Sequence, residues 1–405
     1  MLAEPFVKMI NNIDFDNLIY FDNAATTKPA KEVLDVMKES AELYYANNES
    51  AHKFGVYVDN MLNDATEYVA KILSCDKDEI IWTSGATEGN NFSILQTVEK
   101  KKRQGNHIIT TMMEHPSVQN VMTKLKNNGY DVEYVKVDNK GQVDIDDLSA
   151  KIKAETILVS IMCVNNEIGA KQDLCKIGKL IKEKNKNTVF HVDCVQAFGK
   201  YEIKPKKMNI DLLTTSAHKI HGPKGVGFVY KNKNLLLEPF ILGGGQQKNM
   251  RSGTVNTQGI LAYKKAIELA YENLTENTNH LLDLRNSFID RINQLNDDIK
   301  DIYLNTEKSD DFAMNIVSVN FKNVRAEVLL HSLEEYNICV SAGSACSSKD
   351  IKLSNTLKAI DIPKDLQGST IRFSFSRYNT KEQIDKCIEL LKDIVPKLRK
   401  YGAKH

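Results

Sequence analysis

Short apolar runs rich in isoleucine, valine and threonine recur through the first part of the chain, with helix-length stretches between them. They are Ile80–Thr83, His107–Thr111, Val132–Val137, Thr156–Val164, Val189–Asp193, Leu212–Ser216 and Gly225–Tyr230. Runs of this length, bounded by polar turns, read as buried strands. Their alternation with helices predicts an α/β domain around a mostly parallel sheet. From Ile260 the period changes: Ile260, Tyr263, Ile267, Ala270 and Leu274, then Leu281, Leu284, Phe288, Ile292 and Leu295, fall at helical spacing. Beyond about Ile302, strands at Asn315–Phe321 and Thr370–Ser374 mix with a helix at Lys381–Leu398, the pattern of a smaller α+β domain. The expected division is a large domain over 18–262 and a small one over 263–405, joined by 1–17.

The chain has 405 residues, enough for two cores. Its 54 Lys and Arg balance 53 Asp and Glu, leaving a net charge of +1 and no electrostatic footprint for direct nucleic-acid binding. Met1–Ile10 lacks the sustained apolar stretch of a secretory signal, and no apolar run nears the ~18 residues a membrane span requires. Seven cysteines without a C-x-x-C pair argue against a disulfide framework or a zinc site. A cytoplasmic protein with reduced thiols is expected.

Chemistry-bearing residues cluster where the strands end. Ser84–Gly89 lies between the first strand and a helix-like stretch at Asn90–Val98. Its small residues and the Thr87 hydroxyl suit a phosphate, although alone it reads first as an ordinary turn with an N-cap. His115, before Pro116, could stack on a flat heterocycle or be a surface loop histidine. Asp193 ends an apolar run, where a carboxylate could pair with a protonated pyridine nitrogen or cap a helix. Lys219 follows the strand Leu212–Ser216, and a lysine there can lose its charge and form a Schiff base. Ser216 and His218 could join Thr87 on one phosphate. Together these types meet every need of a pyridoxal-phosphate site, on the edge where open α/β sheets bind ligands.

The same residues resemble the fold-type I pyridoxal-phosphate enzymes, and among them the cysteine desulfurases of the NifS/IscS kind. The resemblance runs from Tyr20–Thr27 to about Ile384. It passes through Thr83–Glu88, Glu114-His115, Val164–Gly169, His191–Asp193, Ser216–Lys219, Arg251–Thr254, Ser344–Cys346 and Ile371–Ser374. It implies an aspartate-aminotransferase-like fold, with a large domain holding a mostly parallel seven-stranded sheet. It further implies that Lys219 carries the cofactor, His115 stacks on its ring, and Asp193 pairs with its nitrogen. Gln196 and Asn166 would lie near the ring hydroxyl, while Ala86, Thr87, Ser216 and His218 hold the phosphate. Thr254 would reach the phosphate of a neighbouring subunit, which implies a homodimer. Arg372, with Asn166, would take the substrate carboxylate.

Cys346 stands in Ser341–Ser348, whose small residues predict a mobile loop. The resemblance makes its thiolate the group that attacks the sulfur of L-cysteine, leaving alanine and a persulfide destined for a sulfur-acceptor protein in iron–sulfur cluster, other cofactor or tRNA biosynthesis. His115 is the expected acid/base for the thiol protons, alongside Lys219 at the α-carbon. The other cysteines, Cys75, Cys163, Cys175, Cys194, Cys339 and Cys387, are expected as buried small hydrophobes. Two features depart from the family pattern: Asn47-Asn48-Glu49-Ser50-Ala51-His52 replaces a more usual Asn-Pro-Ser-Ser before His, and the tail at Lys400–His405 is short. The rival readings are a selenocysteine lyase or other lyase of the same fold, and a non-catalytic scaffold.

Overall fold

Helices alternate with strands from Lys31 to Glu272, and in the computed structural model, which describes residues 14–342 and 354–402, the strands join into one sheet. The chain divides into two units. One comprises Thr27–Asn165 and Lys171–Thr275; the other takes the N-terminal segment to Thr26, Asn166–Ala170 and the residues from Glu276 onward. The second unit opens with β1 (Ile19–Tyr20).

The larger unit begins with α1 (Lys31–Leu43) and α2 (Lys53–Leu73). Then follow β2 (Ile80–Thr83), α3 (Ala86–Lys101), β3 (His107–Thr111), α4 (Pro116–Asn127), β4 (Asp131–Val135), α5 (Ile145–Lys151) and β5 (Thr156–Ser160). It is completed by α6 (Leu174–Lys184), β6 (Val189–Asp193), β7 (Leu212–Thr214), β8 (Gly227–Lys231) and α7 (Thr257–Glu272). The sheet order is β2-β8-β7-β6-β5-β3-β4, seven strands as expected. Only β8 runs antiparallel to its neighbours, β2 and β7. Most of its strands are buried throughout, which is why they read as continuous apolar runs. Phe92, Ile94 and Val98 of α3 and Val118, Met122 and Leu125 of α4 pack with Ile108, Leu158 and Val229 in one core.

Two glycines fix how α3 meets the sheet. Gly85, the N-cap, has φ +141, a backbone region other residues avoid. A Cβ on Gly89 would lie 2.6 Å from Thr214 Cγ2, so only glycine lets the first turn of α3 rest on β7.

In the other unit α8 (Leu274–Ile299) leads to β9 (Ile302–Leu304), β10 (Ile316–Phe321) and α9 (Ala326–Glu334). Next come β11 (Ile338–Cys339), β12 (Ser341–Ala342), α10 (Asn355–Ala359), α11 (Lys364–Gln367), β13 (Thr370–Ser374) and α12 (Lys381–Gly402). Its sheet, β12-β13-β10-β9, is antiparallel, and β1 pairs in parallel with β11. Ser341 and Ala342, expected to open a loop, instead extend this sheet against Arg372 and Ile371. Among the described residues no helix is long and apolar enough to cross a membrane.

Candidate active site

The cradle forms where β2 gives way to α3. The helix begins at Ala86, earlier than the sequence pattern indicates, so Ala86, Thr87 and Glu88 occupy its first turn. No side chain caps that end, which leaves backbone N–H donors and the positive end of the dipole available to an anion. Ser216 Oγ would stand 3.6 Å from a Cβ placed on Gly85, which sets the cradle against the turn that carries Lys219. The Arg251 guanidinium grips both oxygens of Glu88, at 2.9 and 3.1 Å, and Glu88 Oε2 accepts from Ser84 N.

Lys219 closes a single 3-10 turn, Ala217–Lys219, after β7. Thr27 staples this turn. Its N–H and hydroxyl both donate to the His218 carbonyl at 2.9 Å, and its Oγ1 accepts from His221 N at 2.7 Å. Lys200 Nζ donates to the Lys219 carbonyl at 3.4 Å. Burial first, and then the charge of Lys219, push the Lys200 amine down to about 7. Burial, aided by Lys219 and other lysines, likewise pushes His218 down to about 4.

Asp193 ends β6 and is 5 % exposed. Its Oδ1 accepts from Val195 N at 3.0 Å and its Oδ2 from Asn90 Nδ2 at 2.8 Å, so it does not cap a helix. No ion pair to it occurs among the described residues. Gln196, three residues on, is also buried. His115 is the N-cap of α4, solvent-accessible and held by Ser117. Burial of its surroundings lowers its basicity; Asp193 opposes this and Lys219 adds to it. Thr87 and His115 share an open groove of about 430 Å³ with Asn91, Ser117 and Lys124. Glu114, behind His115, is fully enclosed. Its Oε1 accepts from Thr111 Oγ1 (2.8 Å) and Met162 N (3.0 Å), Oε2 has no partner, and burial pushes the carboxyl up to about 8.

Ala86, Thr87, His115, Asp193, Gln196, Ser216, His218, Lys219 and Thr254 all belong to the larger unit. Thr254 is exposed before α7, beside a groove of about 280 Å³ shared with Tyr44, Tyr45 and Asn47. Asn166 and Arg372 come together in the other unit. Arg372 Nη1 donates to the Asn166 carbonyl and Nη2 to Asp22 Oδ1, each at 2.7 Å, while its buried Nε has no partner among the described residues. Cys346 lies outside the described residues. Cys163, Cys194 and Cys387 are buried as expected, and Cys75 and Cys339 are half-buried. Cys175 departs from that expectation: α6 turns Leu174, Ile177, Gly178 and Ile181 inward, leaving Cys175 exposed on the other face.

The donor set fits pyridoxal phosphate. An uncapped helix start and the Thr87 and Ser216 hydroxyls suit the phosphate, an accessible imidazole suits a ring face, and a buried carboxylate without a counter-cation suits a protonated ring nitrogen. Asn90, Ser117, Thr27 and Lys200 are supports that sequence reasoning missed. Asn90 could have been found from its place one residue beyond the cradle; nothing in the sequence marks the others.

Residues 19–387 match the family Aminotransferase class-V. The chain is 40% identical over 386 residues to the cysteine desulfurase of Trichormus azollae, covering 95% of this chain and 94% of that one. It is 39% identical over 381 residues to the cysteine desulfurase IscS of Dictyoglomus turgidum, covering 94% and 95%. Among solved structures, a NifS-like protein superposes with a TM-score of 0.88 at 35% identity, over 94% of this chain and all (100%) of that one. SspA in complex with cysteine superposes with a TM-score of 0.76 at 31% identity, over 89% of this chain and 100% of that one. A match spanning the strands, the lysine turn and most of both units makes this chain a member of the class-V aminotransferase family, in its branch of cysteine desulfurases of the NifS/IscS kind.

Proposed function

We infer that the chain is a pyridoxal-phosphate-dependent cysteine desulfurase that passes the sulfur of L-cysteine to its own Cys346 and releases L-alanine. The observation that carries this reading is the buried Asp193 carboxylate, without an ion pair among the described residues, at the strand end facing the surroundings that His115 shares with Lys219. Bound there, the cofactor supplies an electron sink for bonds broken on the substrate. Lys219 holds it through the ε-amine and, once released, moves protons at the substrate α-carbon. Ala86, Thr87, Ser216 and His218 bind the phosphate, and Gln196 and Asn166 attend the ring hydroxyl. Arg372 orients the substrate carboxylate; Asp22 and the Asn166 carbonyl take one hydrogen from each Nη, and among the described residues the second hydrogen of each Nη is left for the ligand.

The Cys346 thiolate attacks the substrate sulfur. The S–S bond forms as the C–S bond breaks, and the carbon fragment keeps that electron pair and is protonated to alanine. His115 assists at the thiol as a hydrogen-bond donor through Nε2, since Ser117 occupies Nδ1. The acceptor of the persulfide is a second protein of the cluster-scaffold or tRNA-thiolation type. Two copies complete each other's phosphate sites through Thr254, and the enzyme works in the cytoplasm. The names borne by the relatives favour L-cysteine over a selenocysteine-lyase reading.

Mass spectrometry after brief exposure to L-cysteine without reductant tests the assignment. A sulfur adduct on Cys346 is expected, and the Cys346→Ala variant should keep the yellow cofactor colour while losing alanine production. An adduct confined to Cys339, or undiminished turnover in the variant, overturns it; Lys219→Ala should be colourless and inactive.

A further inference from the structure

His115 caps α4 with its own ring, Nδ1 accepting from the backbone N–H of Ser117 at 3.2 Å. Ser117 Oγ lies 2.9 Å from the same nitrogen. That hydroxyl already accepts from Asn90 Nδ2 at 2.9 Å, and the other hydrogen of the amide goes to Asp193 Oδ2 at 2.8 Å. An ionised carboxylate only accepts, so the Asn90 atom facing Asp193 must be the amide nitrogen. With an acceptor site of Ser117 Oγ filled by Asn90, its single hydrogen is free for His115 Nδ1. Two donors then converge on a nitrogen that cannot carry a proton itself.

We propose that Asn90 and Ser117 are positioning residues that keep His115 neutral, with its proton on Nε2. The charged groups facing the ring act in both directions. Asp193 favours the imidazolium, whereas Lys219 and the positive end of the α4 dipole oppose it, with burial the largest opposing influence. The donor pair from Ser117 adds to the opposing side, because an imidazolium would turn Nδ1–H against the fixed Ser117 N–H and oblige the hydroxyl to give up its donation and accept instead. The consequence rests on the desulfurase reading. A neutral imidazole can lie against a cationic heterocycle without charge repulsion, and it offers a hydrogen only from Nε2.

The test is two-bond ¹H–¹⁵N correlation on ¹⁵N-histidine-labelled holoenzyme, with His115→Gln identifying the signals of His115. The wild type should show Nδ1 unprotonated and Nε2 protonated through the neutral range. Ser117→Ala removes one of the two donors and should raise the protonation constant of His115 severalfold, up to about tenfold. Ser117→Thr, which keeps the hydroxyl, should restore the wild-type titration. An Nδ1-protonated wild type, or a Ser117→Ala titration within about twofold of it, overturns the proposal. Should Ser117→Ala fail to fold, the wild-type tautomer and the Ser117→Thr titration still decide it. The ring signals report whether or not Cys346 accepts sulfur, so failure of the desulfurase reading is separately visible.

Discussion

Glu114 sits in a costly environment for a carboxyl. It is fully enclosed, one oxygen has two donors and the other none, and burial raises it to about 8. A carboxyl raised in this way gives the fold its full support below the ordinary glutamate range. That support drains away as pH climbs from about 4.5 toward 8, at about 1.4 kcal/mol per unit. Glu114→Gln keeps an acceptor for Thr111 and Met162 and removes the titration. Its unfolding free energy relative to wild type, measured by urea titration, should therefore rise with pH across that window, by an amount on the order of several kcal/mol. A difference independent of pH would show that Glu114 is not protonated in the fold. At this scale, legibility follows chemical type. Lys219, Asp193 and His115 could be read because an amine, a carboxylate and an imidazole at strand ends are few and pointed. Ser117 and Thr27 could not, because a hydroxyl in a turn or first helical turn is the commonest way to satisfy backbone, and only coordinates reveal which group it serves.

Strands were read more closely than helix starts, for a physical reason. Ile80–Thr83 lies between Glu79 and Ser84, and His107–Thr111 and Val189–Asp193 follow the polar Asn106 and Thr188, so composition marks where these strands begin. The run Thr156–Val164 stays apolar beyond the strand. Ile161 and Cys163 still donate to the carbonyls of His191 and Asp193 after regular pairing stops at Ser160. The helix expected at Asn90 begins at Ala86, because its first turn is polar where it faces the site and glycine where it meets the sheet. Gly89 makes that junction testable. Gly89→Ala places a methyl 2.6 Å from Thr214 Cγ2 and 3.0 Å from Val229 Cγ2. Neither neighbour can swing far in a packed core, so α3 must lift, at a cost of about 1–3 kcal/mol. Thr87 moves with it. The variant should lose pyridoxal phosphate on dialysis faster than wild type, together with a lowered thermal midpoint. Unchanged retention would mean that this turn does not hold the phosphate.

Taken whole, the larger unit leaves Leu43, Tyr45, Tyr57, Leu236 and Leu242 exposed, large apolar side chains available to a partner. Sedimentation should give a homodimer of the 45.7 kDa chain, and Thr254→Ala should weaken cofactor retention without breaking the dimer. A fully active monomer at low concentration would refute the shared-site proposal. The sheet order has a consequence for biosynthesis. Among the described residues β2, which launches the phosphate cradle, pairs only with β8, and β8 is the last of the seven strands to leave the ribosome. The β7 strand that leads into the Lys219 turn also pairs with β8. A nascent chain ending before Lys231 can pair β6 with β7, which brings the carboxylate to the lysine turn, but lacks the strand that holds the cradle beside them. Cofactor loading must wait for synthesis to pass that residue, and ribosome-stalled chains shorter than this should stay colourless however much pyridoxal phosphate surrounds them.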